Sequence, residues 1–198
     1  MMLMVGIGGL MATAQVAPVA RNFKIGAAAL GVTLSLNPLC NGASRFLWGW
    51  VSDSLGRERT MTTAFFLQAL SLASVVTLGR RGDGWFVVTM ALVFLTWGEL
   101  YVLFPAVLAD VFGARHAASN YSFLYSTKGV ASILAGGLAA ALFEKTGVWD
   151  YAFYGSAGLA LCSALGSLAL LRMPLPKKSS QPADQALVDE SDTLRANV

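Results

Sequence analysis

The chain has 198 residues, of which 56% are hydrophobic and only 13% charged, with a formal net charge of +3 and a mean hydropathy of +0.60. A soluble domain carries about 25% charged residues, so this balance excludes one and places the chain in a bilayer. The basic residues lie scattered in short segments between apolar runs rather than on one face, which excludes a nucleic-acid-binding surface.

Crossing a hydrocarbon core of about 30 Å takes about 20 residues in helix. Six runs of roughly that length follow one another, at 1–20, 27–51, 61–78, 85–111, 121–143 and 151–171. The breaks contain RNFK, DSLGRER, GRRGDG, FGARHAAS and EKTGVWD, rich in Gly or charge and too short to hold a domain. The predicted fold class is therefore an all-α membrane protein, with six transmembrane helices in a bundle over 1–173. Beyond it, PLPKKSSQPADQ and an acidic end bury too little to fold, so 174–198 is expected to be a disordered tail.

The first run has a rival reading as a secretory signal, because small residues in ATA and APVA follow its apolar start. It lacks a basic leader, which favours a spanning helix. A span that begins at residue 1 with no polar lead suggests that the chain lacks its beginning. Lys and Arg in short loops do not decide orientation, with six on the DSLGRER side against five opposite. Cys40 and Cys162 lie within apolar runs and read as small packing residues.

The second and third runs are joined by GWVSDSLGRER, residues 49–59. Gly49 permits close helix approach, Gly56 a tight turn, and Asp53 with Arg57 an ion pair able to hold one conformation shut. Gly, three residues, Asp, two residues, then Gly-Arg-x-Arg between two membrane helices resembles the cytoplasmic signature loop of the major facilitator superfamily. Glu58 departs from the family pattern, standing where a basic residue is usual. The resemblance implies a transporter of two six-helix halves, each a pair of inverted three-helix repeats. This chain would be one half, and its tail after the sixth span favours the carboxy-terminal one. Gly49, Asp53, Gly56, Arg57 and Arg59 would form the conformational latch.

Three charged residues lie well inside the spans: Arg45 in the second, Glu99 in the fourth and Lys128 in the fifth. Such residues cost roughly 2.5–3.5 kcal/mol at the bilayer centre on the lowest scales, and they mark pathways. Arg45 and Lys128 lie similar distances from span ends on the signature-loop side, each roughly 10 Å deep at 1.5 Å per residue. Asn37, Asn41 and Arg45 recur every four residues as one polar ridge, and Tyr121, Tyr125, Lys128 and Ser132 form a second. These uncharged polar residues are candidates to line a cavity. Trp97 and Tyr101 share a face, while Glu99 between them turns roughly opposite. Its role is open, and pairing with Lys128 is one alternative.

NGASRFLWGWVSD, LTWGELYVLFPAVLADVFG and NYSFLYSTKGVASILAGG, on three different helices, resemble the oxalate:formate antiporter family of that superfamily. GLMATAQVAPVARNF likewise resembles part of the family's seventh helix, in keeping with a missing beginning. The resemblance implies that Arg45 and Lys128 bind substrate carboxylates and that Trp97 and Tyr101 line the cavity. Two cations against a dicarboxylate make a neutral site, with the Arg presenting a planar fork and the Lys a point charge. An empty site would have to occlude two unpaired cations, so exchange is expected rather than uniport.

The expected partners are small carboxylate anions, the lipid bilayer and an amino-terminal six-helix half, with no nucleic acid and no cofactor. The expected location is a bacterial-type inner membrane, with the signature loop and tail cytoplasmic. An enzyme is not expected: the lone histidine, His116, falls in a break with no second ligand, and no nucleophile–base set is present. Two alternatives stand beside exchange. One is a proton-coupled carrier of lactate, pyruvate or formate, and the other is a half-transporter fragment without transport.

Overall fold

A computed structural model describes residues 1–171, and the side chains of all of these except 114–117 and 171. The expected tail at 174–198 lies outside the described residues. The described chain is helical almost throughout and contains no strand. Its helices are α1 (Met2–Ala14), α2 (Val16–Asn22), α3 (Ala27–Leu55), α4 (Arg57–Thr77), α5 (Asp83–Trp97), α6 (Leu100–Phe112), α7 (Ala114–Thr146) and α8 (Asp150–Leu171), with a 3₁₀ turn at Gly79–Arg81.

Two expected spans are broken rather than continuous. The first divides at Gln15 into α1 and α2, which meet at 64°. The fourth divides at Gly98 and Glu99 into α5 and α6 but remains one apolar stretch from Asp83 to Phe112. Among the described residues, four stretches are long and apolar enough to cross a membrane, and the bent α1–α2 pair, taken as one span, makes a fifth. The second expected span is α3, whose 29 residues would reach about 43 Å. It falls short on apolarity alone, because Asn37, Asn41, Arg45 and several hydroxyl residues lower the hydropathy of its sequence. His116, read as a loop residue, lies within the first turn of α7.

The packing order follows a repeat. The first helix of each three-span group rests on the second helix of the other group, as α1 rests on α7 and α3 on α5. The third helices, α4 and α8, rest on each other. This is the pattern of two interlocked triplets. The core has two tiers. One contains Phe86, Met90, Phe94, Trp149 and Phe153; the other, nearer the DSLGRER turn, contains Trp48, Met61, Phe65, Trp97 and Phe104.

Local chemistry keeps backbone and hydroxyl groups satisfied in this apolar setting. In α4, Thr60, Thr62, Thr63 and Ser71 each donate to a carbonyl one turn back, so their hydroxyls cross the apolar interior already paired. The α3–α4 and α6–α7 turns both pass through glycine in a region that side chains avoid, with Gly56 at φ 88°, ψ 153° and Gly113 at φ 79°, ψ 160°. Each of these glycines also donates its N–H to the last turn of the helix it ends, Gly56 to Ser52 O and Gly113 to Ala109 O, both at 3.0 Å.

Candidate functional site

The α3, α5–α6 and α7 segments bring the two intramembrane cations to one side chain, Tyr101. The guanidinium carbon of Arg45 lies 4.4 Å from the centroid of the Tyr101 ring. Lys128 Nζ donates to the hydroxyl of that same tyrosine and, at 3.2 Å, to the hydroxyl of Tyr125. Among the described residues neither cation forms an ion pair. Phenol oxygens and ring faces are their partners instead, which leaves both positive charges formally uncompensated.

The remaining polar and aromatic residues surround this pair unequally. Trp97 packs edge-on against Tyr101 with centroids 5.6 Å apart, and its ring centroid is 5.8 Å from Lys128 Nζ. Tyr121 packs on Tyr125 at 5.5 Å, extending the aromatic row along α7. Asn41 accepts from Arg45 Nη2 at 3.3 Å, which holds the guanidinium along α3. Asn37, two turns from Arg45 on α3, is half-buried. Ser132 lines an open depression of about 430 Å³ together with Leu10, Tyr125, Ser126, Lys128 and Gly129.

Glu99 does not join the cluster. It is fully buried at the α5–α6 break, and among the described residues neither carboxylate oxygen has a hydrogen-bond partner. The alternative pairing of Lys128 with Glu99 is thus not formed in this structure, because Tyr101 and Tyr125 occupy the ammonium and Glu99 turns away from the Trp97–Tyr101 face.

The signature turn forms a second constellation. Arg57 donates through Nη1 to Asp53 at 3.0 Å and to Ser52 at 2.9 Å, and through Nε to Asp110 at 3.4 Å. Asp110 ends α6, so this arginine ties the start of α4 to the end of a third helix. Gly49 faces Val102 of α6, but a methyl there would lie 3.6 Å from Val102 Cγ1, an ordinary contact, so the helix approach at this point does not require glycine. Arg59 takes part in no ion pair among the described residues and lines a 360 Å³ depression beside Gly56, Arg57 and Asp110. Sequence reasoning missed Asp110. The signal was present as an internal echo, since DSLG and DVFG both place an aspartate three residues before a turn glycine.

On the opposite side, Arg80 pairs with Asp150 and lies 4.7 Å from the Phe23 ring, while Asp83 accepts from Gly26 N at 3.0 Å. Three loops are stitched together there, and these pairings were not foreseen.

A helical bundle of membrane-crossing segments, with two intramembrane cations meeting beside an open depression, has the build of a membrane transporter. The sequence profile of the Major Facilitator Superfamily matches residues 1–195. The chain belongs to that superfamily and is an integral membrane protein of a transporter family rather than an enzyme. It is similar to the oxalate:formate antiporter of Oxalobacter formigenes, at 38% identity over 175 residues, covering 88% of this chain and 42% of that protein. It is also similar to apicoplast pyruvate carrier 2 of Toxoplasma gondii, at 29% over 91 residues, 46% of this chain and 14% of the relative. An uncharacterized 38 kDa protein from a 23S RNA operon of Thermoproteus tenax matches at 29% over 154 residues, 77% of this chain and 40% of its own length. The chain therefore spans less than half the length of these relatives.

Proposed function

We propose that this chain is one half of a transporter that exchanges small carboxylate anions of the oxalate and formate type by alternating access. The carrying observation is the meeting of Arg45 and Lys128 at Tyr101 with no acidic partner among the described residues. A bound dicarboxylate supplies the two missing negative charges. Arg45 grips one carboxylate with its fork, Lys128 holds the other, and the phenol hydroxyls give up the ammonium to it. Trp97 and Tyr101 form a wall that favours a short, flat anion. Asn37, Asn41, Tyr121, Tyr125 and Ser132 line the remainder. The similarity to a relative named as an oxalate:formate antiporter supports the same substrate class.

Obligatory exchange follows from charge. With a dicarboxylate bound the site is neutral and can be occluded, and with formate one positive charge remains; with no anion two cations must be occluded together, at an effective penalty of several kcal/mol per ion. Asp53, Arg57 and Asp110, with Gly49, Gly56 and Arg59 around them, form the latch that holds one orientation between half-cycles. In this reading 1–173 is the transmembrane half, 174–198 a cytoplasmic tail, and an amino-terminal six-helix half completes the cavity. The signature loop faces the cytoplasm of a bacterial-type inner membrane.

The test is labelled oxalate uptake into proteoliposomes holding this chain with a matching amino-terminal half and preloaded with oxalate, formate, lactate or nothing. Uptake driven by internal oxalate or formate supports the proposal. Lactate movement under a pH gradient without oxalate exchange refutes it.

Glu99 favours a second reading, a proton-coupled monocarboxylate carrier. Such a carrier needs an intramembrane proton site, and a buried carboxyl without hydrogen-bond partners is a candidate. The similarity to a relative named as a pyruvate carrier points in the same direction.

A further inference from the structure

Two glycines stand where helices come unusually close around the cluster. A methyl on Gly9 of α1 would lie 2.3 Å from Cε3 and 2.4 Å from Cδ2 of Trp97. A methyl on Gly98 would lie 1.7 Å from Ser44 Oγ and 3.0 Å from the backbone oxygen of Asn41, on α3. Carbon atoms in good contact are about 3.5–4.0 Å apart, so neither position accepts a side chain as packed. Neither glycine has positive φ, so no turn demands it. Helix propensity would favour alanine at Gly9, within α1, and Gly98, at the α5–α6 break, has φ −69° and ψ −13°, a conformation open to any residue. Close approach is what remains.

The two contacts act on two different members of the cluster, the Trp97 ring beside Lys128 and the α3 turn that carries Arg45. Gly9 seats the Trp97 ring, which is otherwise enclosed by a tight cluster including Val5, Trp48, Phe65 and Leu100. A ring pushed off α1 cannot compress that cluster, so it moves toward Tyr101 and Lys128. Gly98 seats α3 at the turn that carries Asn41, Ser44 and Arg45, and Trp48 Nε1 donates to Leu95 O at 2.9 Å in the same contact. The Ser44 hydroxyl can rotate aside, but the Asn41 backbone oxygen and Ser44 Cβ, both at 3.0 Å, require α3 to shift by a few tenths of an ångström, drawing Arg45 away from Tyr101.

We infer that Gly9 and Gly98 are positioning residues that set the length of dicarboxylate the site accepts, Gly9 by seating the Trp97 wall and Gly98 by seating Arg45. The inference rests on the proposal that this cluster is the anion site. It assigns a specificity role to two residues that touch no anion themselves. Gly9→Ala narrows the site and Gly98→Ala widens it, so the two variants shift selectivity in opposite directions. General damage to the fold would not do that.

The experiment compares kcat/KM for oxalate and for malonate, one carbon longer, in exchange by proteoliposomes holding this chain and its amino-terminal half. One methylene in a fitted pocket discriminates about 10- to 200-fold, so the malonate-to-oxalate ratio is expected to fall about tenfold in Gly9→Ala and to rise about tenfold in Gly98→Ala. Adding Trp97→Phe to Gly9→Ala makes room for the methyl and returns the ratio toward the parent value. Ratios that stay unchanged, or that move the same way in both variants, overturn the inference while leaving exchange intact. If neither alanine variant assembles, Trp97→Phe alone is measured: a raised ratio supports the inference and an unchanged ratio overturns it. Absence of oxalate exchange in the parent chain overturns both the proposed function and this inference.

Discussion

Replacing Lys128 by Gln separates a binding role from a structural one. The substitution keeps a polar side chain and removes the charge. A hydrogen bond to a charged group contributes about 1.5–3 kcal/mol, and truncating one partner of a desolvated charge pair costs about 2–5 kcal/mol. Lys128 is only partly buried, so the low end applies, about 2–3 kcal/mol, or about 30- to 150-fold in anion affinity. The empty protein responds differently. It gives up charge-assisted hydrogen bonds to Tyr101 and Tyr125, which the glutamine amide can replace in part, and sheds a partly desolvated charge in return, so the net change is about 1 kcal/mol or less. For a chain of this size that shifts Tm by only about 2–4 °C. A buried pair with Glu99 would instead lose about 3–5 kcal/mol. Oxalate counterflow in proteoliposomes gives the first quantity and thermal unfolding in detergent the second. An exchange KM within about threefold of the parent, well under 1 kcal/mol, would refute the reasoning. So would a stability loss as large as a broken buried pair.

Other substitutions probe the neighbouring contacts. Arg45→Lys keeps the charge but loses the guanidinium contact with the Tyr101 ring and the hydrogen bond to Asn41, and an increase in oxalate KM of about 5- to 30-fold is expected in the same exchange assay. Asp110→Asn leaves Arg57 its partners Asp53 and Ser52 but unties α4 from α6. Stability should change by about 1 kcal/mol or less, and maleimide labelling of Val107→Cys beside the turn should quicken. Gly113→Ala forces a side chain into a backbone region open essentially to glycine, at about 1–3 kcal/mol, and should lower Tm by several degrees in thermal unfolding. Arg80→Ala breaks a half-exposed pair with Asp150, so a loss of about 1 kcal/mol or less is expected. It should shrink further at high salt when Tm is compared at two ionic strengths.

Much of the architecture is legible in the sequence because a bilayer imposes strict demands on composition. Apolar length locates the spans, and polar breaks locate the turns. The breaks within spans at Gln15 and at Gly98–Glu99 are not legible in the same way: the residues beside them remain apolar, and a bend leaves hydropathy unchanged. The α3 helix is the inverse case. Its polar ridge lowers its apolarity, yet it is a long helix within the bundle.

By itself the sequence determined the chain's residence in a membrane, the order of its spans, the signature turn and the faces on which Arg45, Lys128, Trp97 and Tyr101 lie. Helical period assigns a side chain to a face; it does not say which helix stands opposite. Only the tertiary structure decided that α3 and α7 both turn those faces toward α6, so that one tyrosine meets both cations. It also decided that Glu99 is buried apart from Lys128, that Arg57 reaches Asp110 across 53 positions of sequence, and that Gly9 and Gly98 govern close approach. These are consequences of helix packing, in which side-chain volume at each crossing sets the distance between axes.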